Sequence, residues 1–97
     1  MNIEKELQIA VIQVIAQLYD AEVSEAQITL QKTKKEFKGH YTLVTFPLLK
    51  ISRKSPEQTA QEIGEALTKD SSIIESFNVI KGFLNLSLSS ALWIDIL

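Results

Sequence analysis

Residues 83–89, FLNLSLS, place a leucine at every second position, which is the period of a β-strand. The leucines share one face of such a strand, and Phe83 and Asn85 share the other. Three leucines on one face require an apolar layer against them, so this strand predicts a sheet with helices on its leucine side. Phe83 and Asn85 are then expected to stand together in solvent on the open face of the sheet.

Three further segments are typical of strands. Residues 73–80 lie two residues before the FLNLSLS strand and predict a hairpin with it. Residues 28–31 alternate apolar and polar side chains, and residues 41–46 are rich in β-branched and aromatic ones. Between these two segments, residues 33–40 are polar and lysine-rich, with Gly39 as the expected position of positive φ. The sequence therefore predicts a second antiparallel hairpin with an electropositive tip.

Helical periodicity covers residues 3–19, and a second helix is expected from Ser55-Pro56, an N-cap followed by proline at the first helical position, to Lys69. A last helix is expected from Ala91, because Ser89 or Ser90 can cap it. The order α-β-β-α-β-β-α predicts an α+β two-layer sandwich. Its four-stranded, mainly antiparallel sheet would carry the helices on one face.

The charges are unevenly distributed along the chain. The 97 residues carry a formal net charge of −2, which by itself argues weakly against a nucleic-acid partner. The segment from Lys32 to Lys54, however, contains seven basic residues and only one acidic residue, Glu36. Such clustering predicts a basic surface on an otherwise acidic domain. The alternative is a solvated loop and a strand edge protected by lysines.

The sequence lacks the residue types on which most catalytic and metal-binding sites depend. There is no cysteine, His40 is the only histidine, and the three glycines lie far apart, so thiolate, histidine-rich and phosphate-loop sites are excluded. His40 is expected to be an exposed residue of the turn or strand start. No signal peptide and no apolar run of about 20 residues is present. These features predict a cytoplasmic protein that binds no membrane or metal ion and has no active site.

What remains is a binding surface around the last strand. An exposed Phe83 would be a platform for stacking an unpaired base, and the Asn85 carboxamide could pair with a base edge. Lys81 and the turn lysines Lys34, Lys35 and Lys38 could hold phosphates nearby. The alternative is that Phe83 packs against a neighbouring side chain and Asn85 is simply polar.

Three segments, in the same order, resemble the N-terminal additional domain of arginyl-tRNA synthetases. They are residues 37–50, FKGHYTLVTFPLLK, residues 55–63, SPEQTAQEI, and residues 81–86, KGFLNL. No single segment is diagnostic, but the ordered set is fairly specific, and the resemblance covers nearly the whole chain because the N-terminal helix and the final helix also fit. Two positions depart from the family pattern: Lys81 stands where proline is frequent, which is expected to loosen the turn, and His40 stands where aspartate is frequent.

The resemblance implies that residues 1–90 form a domain that binds the D-loop of tRNA-Arg, with Phe83 and Asn85 touching a base. Residues 91–97 would begin the helix that leads to a catalytic domain of the same chain. ATP and Mg²⁺ would serve the parent arginine–tRNA ligase, and this domain would need no cofactor, since the ATP-binding signatures of the synthetases are absent. Two rival functions are a dimerisation module that uses the last helix and a small stand-alone enzyme.

Overall fold

A computed structural model describes residues 3–89, and its centre is one four-stranded sheet. The strands are β1 (Thr29–Lys32), β2 (Tyr41–Val44), β3 (Ile74–Ile80) and β4 (Phe83–Leu88). They lie in the order β1-β2-β4-β3, and every neighbouring pair is antiparallel. The two predicted hairpins are therefore joined through β2 and β4, which places β4 inside the sheet rather than at its edge.

The helices are α1 (Ile3–Tyr19), the short α2 (Leu49–Ser52) and α3 (Pro56–Asp70). α3 packs on β3 and β4, and α1 packs against α3. The predicted α+β two-layer sandwich with helices on one face of an antiparallel sheet is confirmed. The last helix predicted from Ala91 lies outside the described residues. Within the described part, no helix is long and apolar enough to cross a membrane.

The leucines of β4 face the helices, as the alternation predicted. Leu84 and Leu86 have no accessible surface and Leu88 retains 2%. The helical residues that form the core with them are fully buried: Leu7, Val11 and Ile15 of α1, and Ala60, Ile63 and Leu67 of α3. Burying such aliphatic side chains contributes about 1.5–3 kcal/mol each, so this layer is the main source of stability.

The turn between β3 and β4 is tight and is fixed on two sides. Lys81 and Gly82 both have positive φ, 50° and 82°, the geometry of a two-residue hairpin turn. A Cβ on Gly82 would lie 2.6 Å from the Cβ of Pro56. The hydroxyl of Thr45 donates to the Gly82 carbonyl at 2.5 Å. Thr45 has helical backbone angles, φ −85° and ψ −17°, so β2 ends at Val44, before the predicted Phe46.

A polar cluster ties the end of α1 to α3. The Tyr19 hydroxyl donates to Glu62 at 2.8 Å, and the Lys54 ammonium donates to the other Glu62 oxygen at 2.5 Å. The hydrogen bond from Lys54 is the largest cause that lowers the pKa of Glu62 below its usual value. Burial and the bond to Glu62 raise the pKa of Tyr19. Lys54 is thus engaged within the fold.

Acid is expected to remove the contribution of this cluster. A carboxyl with a lowered folded pKa stabilises the fold above its unfolded pKa and loses that contribution as the pH falls through the folded pKa. Since both partners are partly exposed, we expect less than about 1 kcal/mol. Urea unfolding of Glu62→Gln from neutral to acid pH should show a smaller loss of stability than wild type. An equal loss in both would contradict this, and Glu75→Gln, an exposed carboxylate on β3, is the charge control.

Candidate nucleic-acid interface

One row of polar side chains crosses the open face of the sheet. Strand pairing sets Gln31 of β1 opposite Thr42 of β2, Thr42 opposite Asn85 of β4, and Asn85 opposite Asn78 of β3. The side chains alternate with the inward leucines, so all four lie on the face away from the helices. The neighbouring row contains Phe83, flanked by Val44 and Ile80.

These side chains form a hydrogen-bonded chain with one direction. The Lys38 carbonyl can only accept, so Asn78 donates its Nδ2 to it at 2.7 Å. The Asn78 Oδ1 is then free to accept from Asn85 Nδ2 at 2.9 Å. The Asn85 Oδ1 accepts from the Thr42 hydroxyl at 2.6 Å, which leaves Thr33 to donate to Thr42 at 3.0 Å. We call this chain, Thr33–Thr42–Asn85–Asn78–Lys38 carbonyl, the amide relay.

The prediction that Asn85 stands in solvent is wrong. The side chain lies on the open face, as predicted, but only 1% of the residue is accessible. Residues 33–40 do not project away from the sheet; they fold back over it. The main-chain nitrogen of His40 donates to the Leu86 carbonyl at 2.8 Å, and a Cβ on Gly39 would lie 3.2 Å from the Asn85 Cβ. Asn85 therefore forms the floor of a cavity instead of an exposed patch.

This cavity has a volume of about 260 Å³ and combines aromatic, amide and cationic groups. Its lining residues are Gln31, Lys34, Phe37, Thr42, Ile80, Lys81, Phe83 and Asn85. The Phe83 ring is half-buried and packs edge-to-face on Phe46, with ring centroids 5.7 Å apart. Phe83 thus packs against a neighbour, as one of the two alternatives predicted, and it also lines the cavity; its stacking on a base stays a prediction.

The structure brings together four of the six predicted site residues. Lys34, Lys81, Phe83 and Asn85 all line the cavity. Lys35 and Lys38 are exposed on the loop over the sheet and do not line the cavity, although Lys38 supplies the carbonyl that ends the amide relay.

Sequence reasoning missed several cavity residues. Phe37, which is 36% exposed, has a recognisable signal, an aromatic ring among lysines. Thr42 and Gln31 have none, because their place in the cavity depends on strand pairing. Asn78 does not line the cavity but contacts Asn85 and the Lys38 carbonyl through its carboxamide.

His40 is half-buried, which corrects the prediction of an exposed side chain. Its Nδ1 accepts the main-chain N–H of Leu88 at 2.9 Å. The residue thereby connects the start of β2 to the end of β4 and satisfies a donor that would otherwise be unpaired. An aspartate carboxylate at this position can also accept a main-chain N–H, which gives the departure from the family pattern a physical explanation.

The fold is a compact α+β domain, and its cavity combines lysine, aromatic and carboxamide side chains. These features are typical of a nucleic-acid-binding domain. The family described as arginyl tRNA synthetase N terminal domain matches residues 5–88, and the chain belongs to that family.

Relatives and a solved structure agree with this assignment. Over 97 residues the chain is 58% identical to the arginine–tRNA ligase of Parabacteroides distasonis and 59% identical to that of Bacteroides thetaiotaomicron. The matched region includes the whole of this chain but only 16% of the length of each of these two relatives. The arginyl-tRNA synthetase structure of Thermus thermophilus has the same fold, with a TM-score of 0.79 at 23% identity over 98% of this chain and 15% of that one.

Proposed function

We propose that this domain binds tRNA and thereby supports the ATP-dependent arginylation of tRNA-Arg by a longer parent protein. Family membership and the names of the relatives support the general role. The observation that carries the proposal is the cavity, because its lining offers stacking, hydrogen-bonding and phosphate-binding groups side by side. Its volume of about 260 Å³ suits a single flipped-out base better than a larger ligand.

In this proposal an unpaired D-loop base enters the cavity. Phe83 stacks on it, a contribution of about 1–3 kcal/mol per base. Asn85 already uses one N–H and one oxygen lone pair in the amide relay. Its second N–H and second lone pair remain to pair with a donor and an acceptor on the base edge. Asn85 would therefore read the base from the cavity floor rather than from an exposed surface.

The lysines are proposed to hold the backbone of the same loop. Lys34 and Lys81 line the cavity, and in this proposal they contact the phosphates that flank the inserted base. Lys35 and Lys38 are exposed on the same loop and would add sequence-independent attraction. Lys54 is left out of the proposed interface because Glu62 holds it.

The remaining partners of the proposal belong to the parent protein. Within residues 3–89, no group of three His, Asp or Glu side chains could hold a metal ion. We propose that ATP and Mg²⁺ act in the catalytic domain of the same chain, with residues 91–97 leading to it. A cytoplasmic location is part of the same proposal.

The proposal predicts a salt-dependent affinity for tRNA. Binding of the 97-residue chain to a tRNA-Arg transcript should weaken in Lys34→Gln and Lys81→Gln, each reducing the slope of log affinity against log salt by about 1. Fluorescence anisotropy over a range of salt concentrations measures this. Lys69→Gln, in the last turn of α3 and away from the cavity, should leave the slope unchanged. Absence of salt-dependent binding by the wild type would reject the proposal, and a mass that rises with concentration would favour a dimerisation module.

A further inference from the structure

The amide relay determines which way the Asn85 carboxamide faces. A carboxamide in a pocket can usually turn by half a rotation and exchange its oxygen for its NH₂ group. If Asn85 turned, its Oδ1 would face the Oδ1 of Asn78, and two acceptors would meet without a proton between them. Asn78 can turn in response only by giving up the bond from its NH₂ group to the Lys38 carbonyl. The orientation of Asn85 is therefore locked from the β3 side.

Thr42 forms a hydrogen bond with Asn85 but does not fix the orientation of the Asn85 carboxamide. Its hydroxyl can rotate to donate to an oxygen or to accept from an N–H, so it would serve either orientation of Asn85. Only the Asn78 end of the relay terminates in a group that has a single role, a main-chain carbonyl. Within residues 3–89, no buried side-chain nitrogen or oxygen lacks a hydrogen-bond partner, so every buried polar atom of the relay has at least one partner.

We infer that Asn78 is a positioning residue that sets the base specificity of the cavity. A locked Asn85 presents its remaining N–H and lone pair in one fixed order. The Watson–Crick edge of adenine, an amino base, shows an amino donor beside a ring-nitrogen acceptor. That of guanine, a keto base, shows a carbonyl acceptor beside a ring N–H, which is the reverse order. A locked amide thus separates adenine from guanine, whereas a freely turning amide accepts both. The inference rests on the proposed function.

The relay has a second effect on the same cavity. By accepting from Asn78, the Lys38 carbonyl anchors the loop that carries Lys34 and Phe37 to the cavity. Loss of this bond would release the loop and weaken binding of every base, whereas loss of the lock would weaken only the choice between bases. The two effects can be separated by substitutions at the one position, Asn78.

Asn78→Leu and Asn78→Asp make the decisive pair. Leucine removes both bonds, so Asn85 can turn. An aspartate carboxylate still accepts from Asn85 but cannot donate to Lys38, so the lock remains while the loop is released. Transcripts of tRNA-Arg in which each unpaired D-loop position carries either adenine, the amino type, or guanine, the keto type, serve as ligands. At one position, wild type should prefer one type by about tenfold, the lower range for a well-placed bidentate contact.

Asn78→Leu should bring the ratio of the affinities for the two transcripts close to one. Asn78→Asp should keep the wild-type ratio while it binds both transcripts more weakly. The side-chain N–H signals of Asn85 in ¹⁵N spectra report the lock without RNA: slow hydrogen exchange in wild type and Asn78→Asp, and fast exchange in Asn78→Leu. The main-chain signals show whether each variant is folded. A wild-type preference that survives in folded Asn78→Leu overturns the inference alone. Failure of the wild type to bind any transcript overturns the proposed function itself, and slow exchange in Asn78→Leu still rejects the lock.

Discussion

Replacing Phe83 with alanine is expected to weaken binding of the tRNA-Arg transcript by about 10- to 100-fold. The reason is the loss of one stacked base, which is worth about 1–3 kcal/mol, and about 1.4 kcal/mol corresponds to a factor of ten. Fluorescence anisotropy at constant salt measures the change. The loss should appear equally for amino and keto bases, because stacking uses the face of the base and not its edge.

Two substitutions separate stacking from packing at this position. Phe83→Tyr keeps an aromatic face and should bind within about threefold of wild type, because each base keeps its stacking partner. Phe46 packs on Phe83 but does not line the cavity. Phe46→Ala is therefore the control for a loss of packing around Phe83 that leaves the cavity lining unchanged. Equal affinities of Phe83→Ala and wild type would show that the ring has only a packing role.

Replacing Gly64 with valine is expected to lower the free energy of unfolding by about 3 kcal/mol, the upper range for overpacking a core. Gly64 lies in α3, and its Cα packs directly against the Phe77 ring of β3. Even a Cβ atom would lie 2.5 Å from Phe77 Cδ2, closer than van der Waals contact allows. Helix propensity favours valine slightly over glycine, so the sign of the measured change distinguishes packing from propensity. Urea unfolding followed by circular dichroism gives the value.

A double-mutant cycle tests whether the ring is the cause. In a Phe77→Ala background the same Gly64→Val substitution should cost less than about 1 kcal/mol, because the added side chain then has space. Gln61→Val, at an exposed position of the same helix, should change stability by only a few tenths of a kcal/mol. An equal cost with and without the Phe77 ring would contradict the packing explanation.

Lys81 shows how a departure from the family pattern acts on local geometry. The sequence predicted that lysine in place of proline would loosen the turn. Lys81 instead has φ of 50°, a value that a proline ring, fixed near −65°, cannot adopt. The turn is a tight two-residue one, and its stiffness relative to a proline-containing turn stays a prediction. A proline at this position would require a different turn, and the cationic side chain would be lost from the cavity.

Local patterns were sufficient for the presence of the four strands and the two long helices within residues 3–89 and for the buried face of β4. The period-2 leucines of β4 identified its buried side, and Ser55-Pro56 marked the start of α3, where the Ser55 side chain accepts from the Gln58 N–H at 3.1 Å. Gly39 has the positive φ expected of it. These features depend on neighbours within a few residues, and propensity, capping and turn chemistry act over that range.

The cavity was only half predictable, for a reason of distance along the chain. Thr42 and Asn85 are 43 residues apart, and the Lys38 carbonyl meets a side chain 40 residues away. Such contacts depend on which strands pair and in which register, and no local pattern encodes that choice. For the same reason the burial of Asn85 beneath residues 33–40 could not be anticipated from its position in an alternating strand.

The amino-acid order alone determined the secondary elements, the buried face of the sheet, the absence of a cysteine or histidine-rich site, and the family resemblance. Only the folded chain decided that β4 lies between β2 and β3, which surrounds Asn85 with Thr42 and Asn78 and closes the lysine-rich loop over it. The physical reason is that hydrophobic periodicity specifies which side of a strand is buried. The partners of a polar side chain are specified by long-range pairing, which exists only once the sheet has formed.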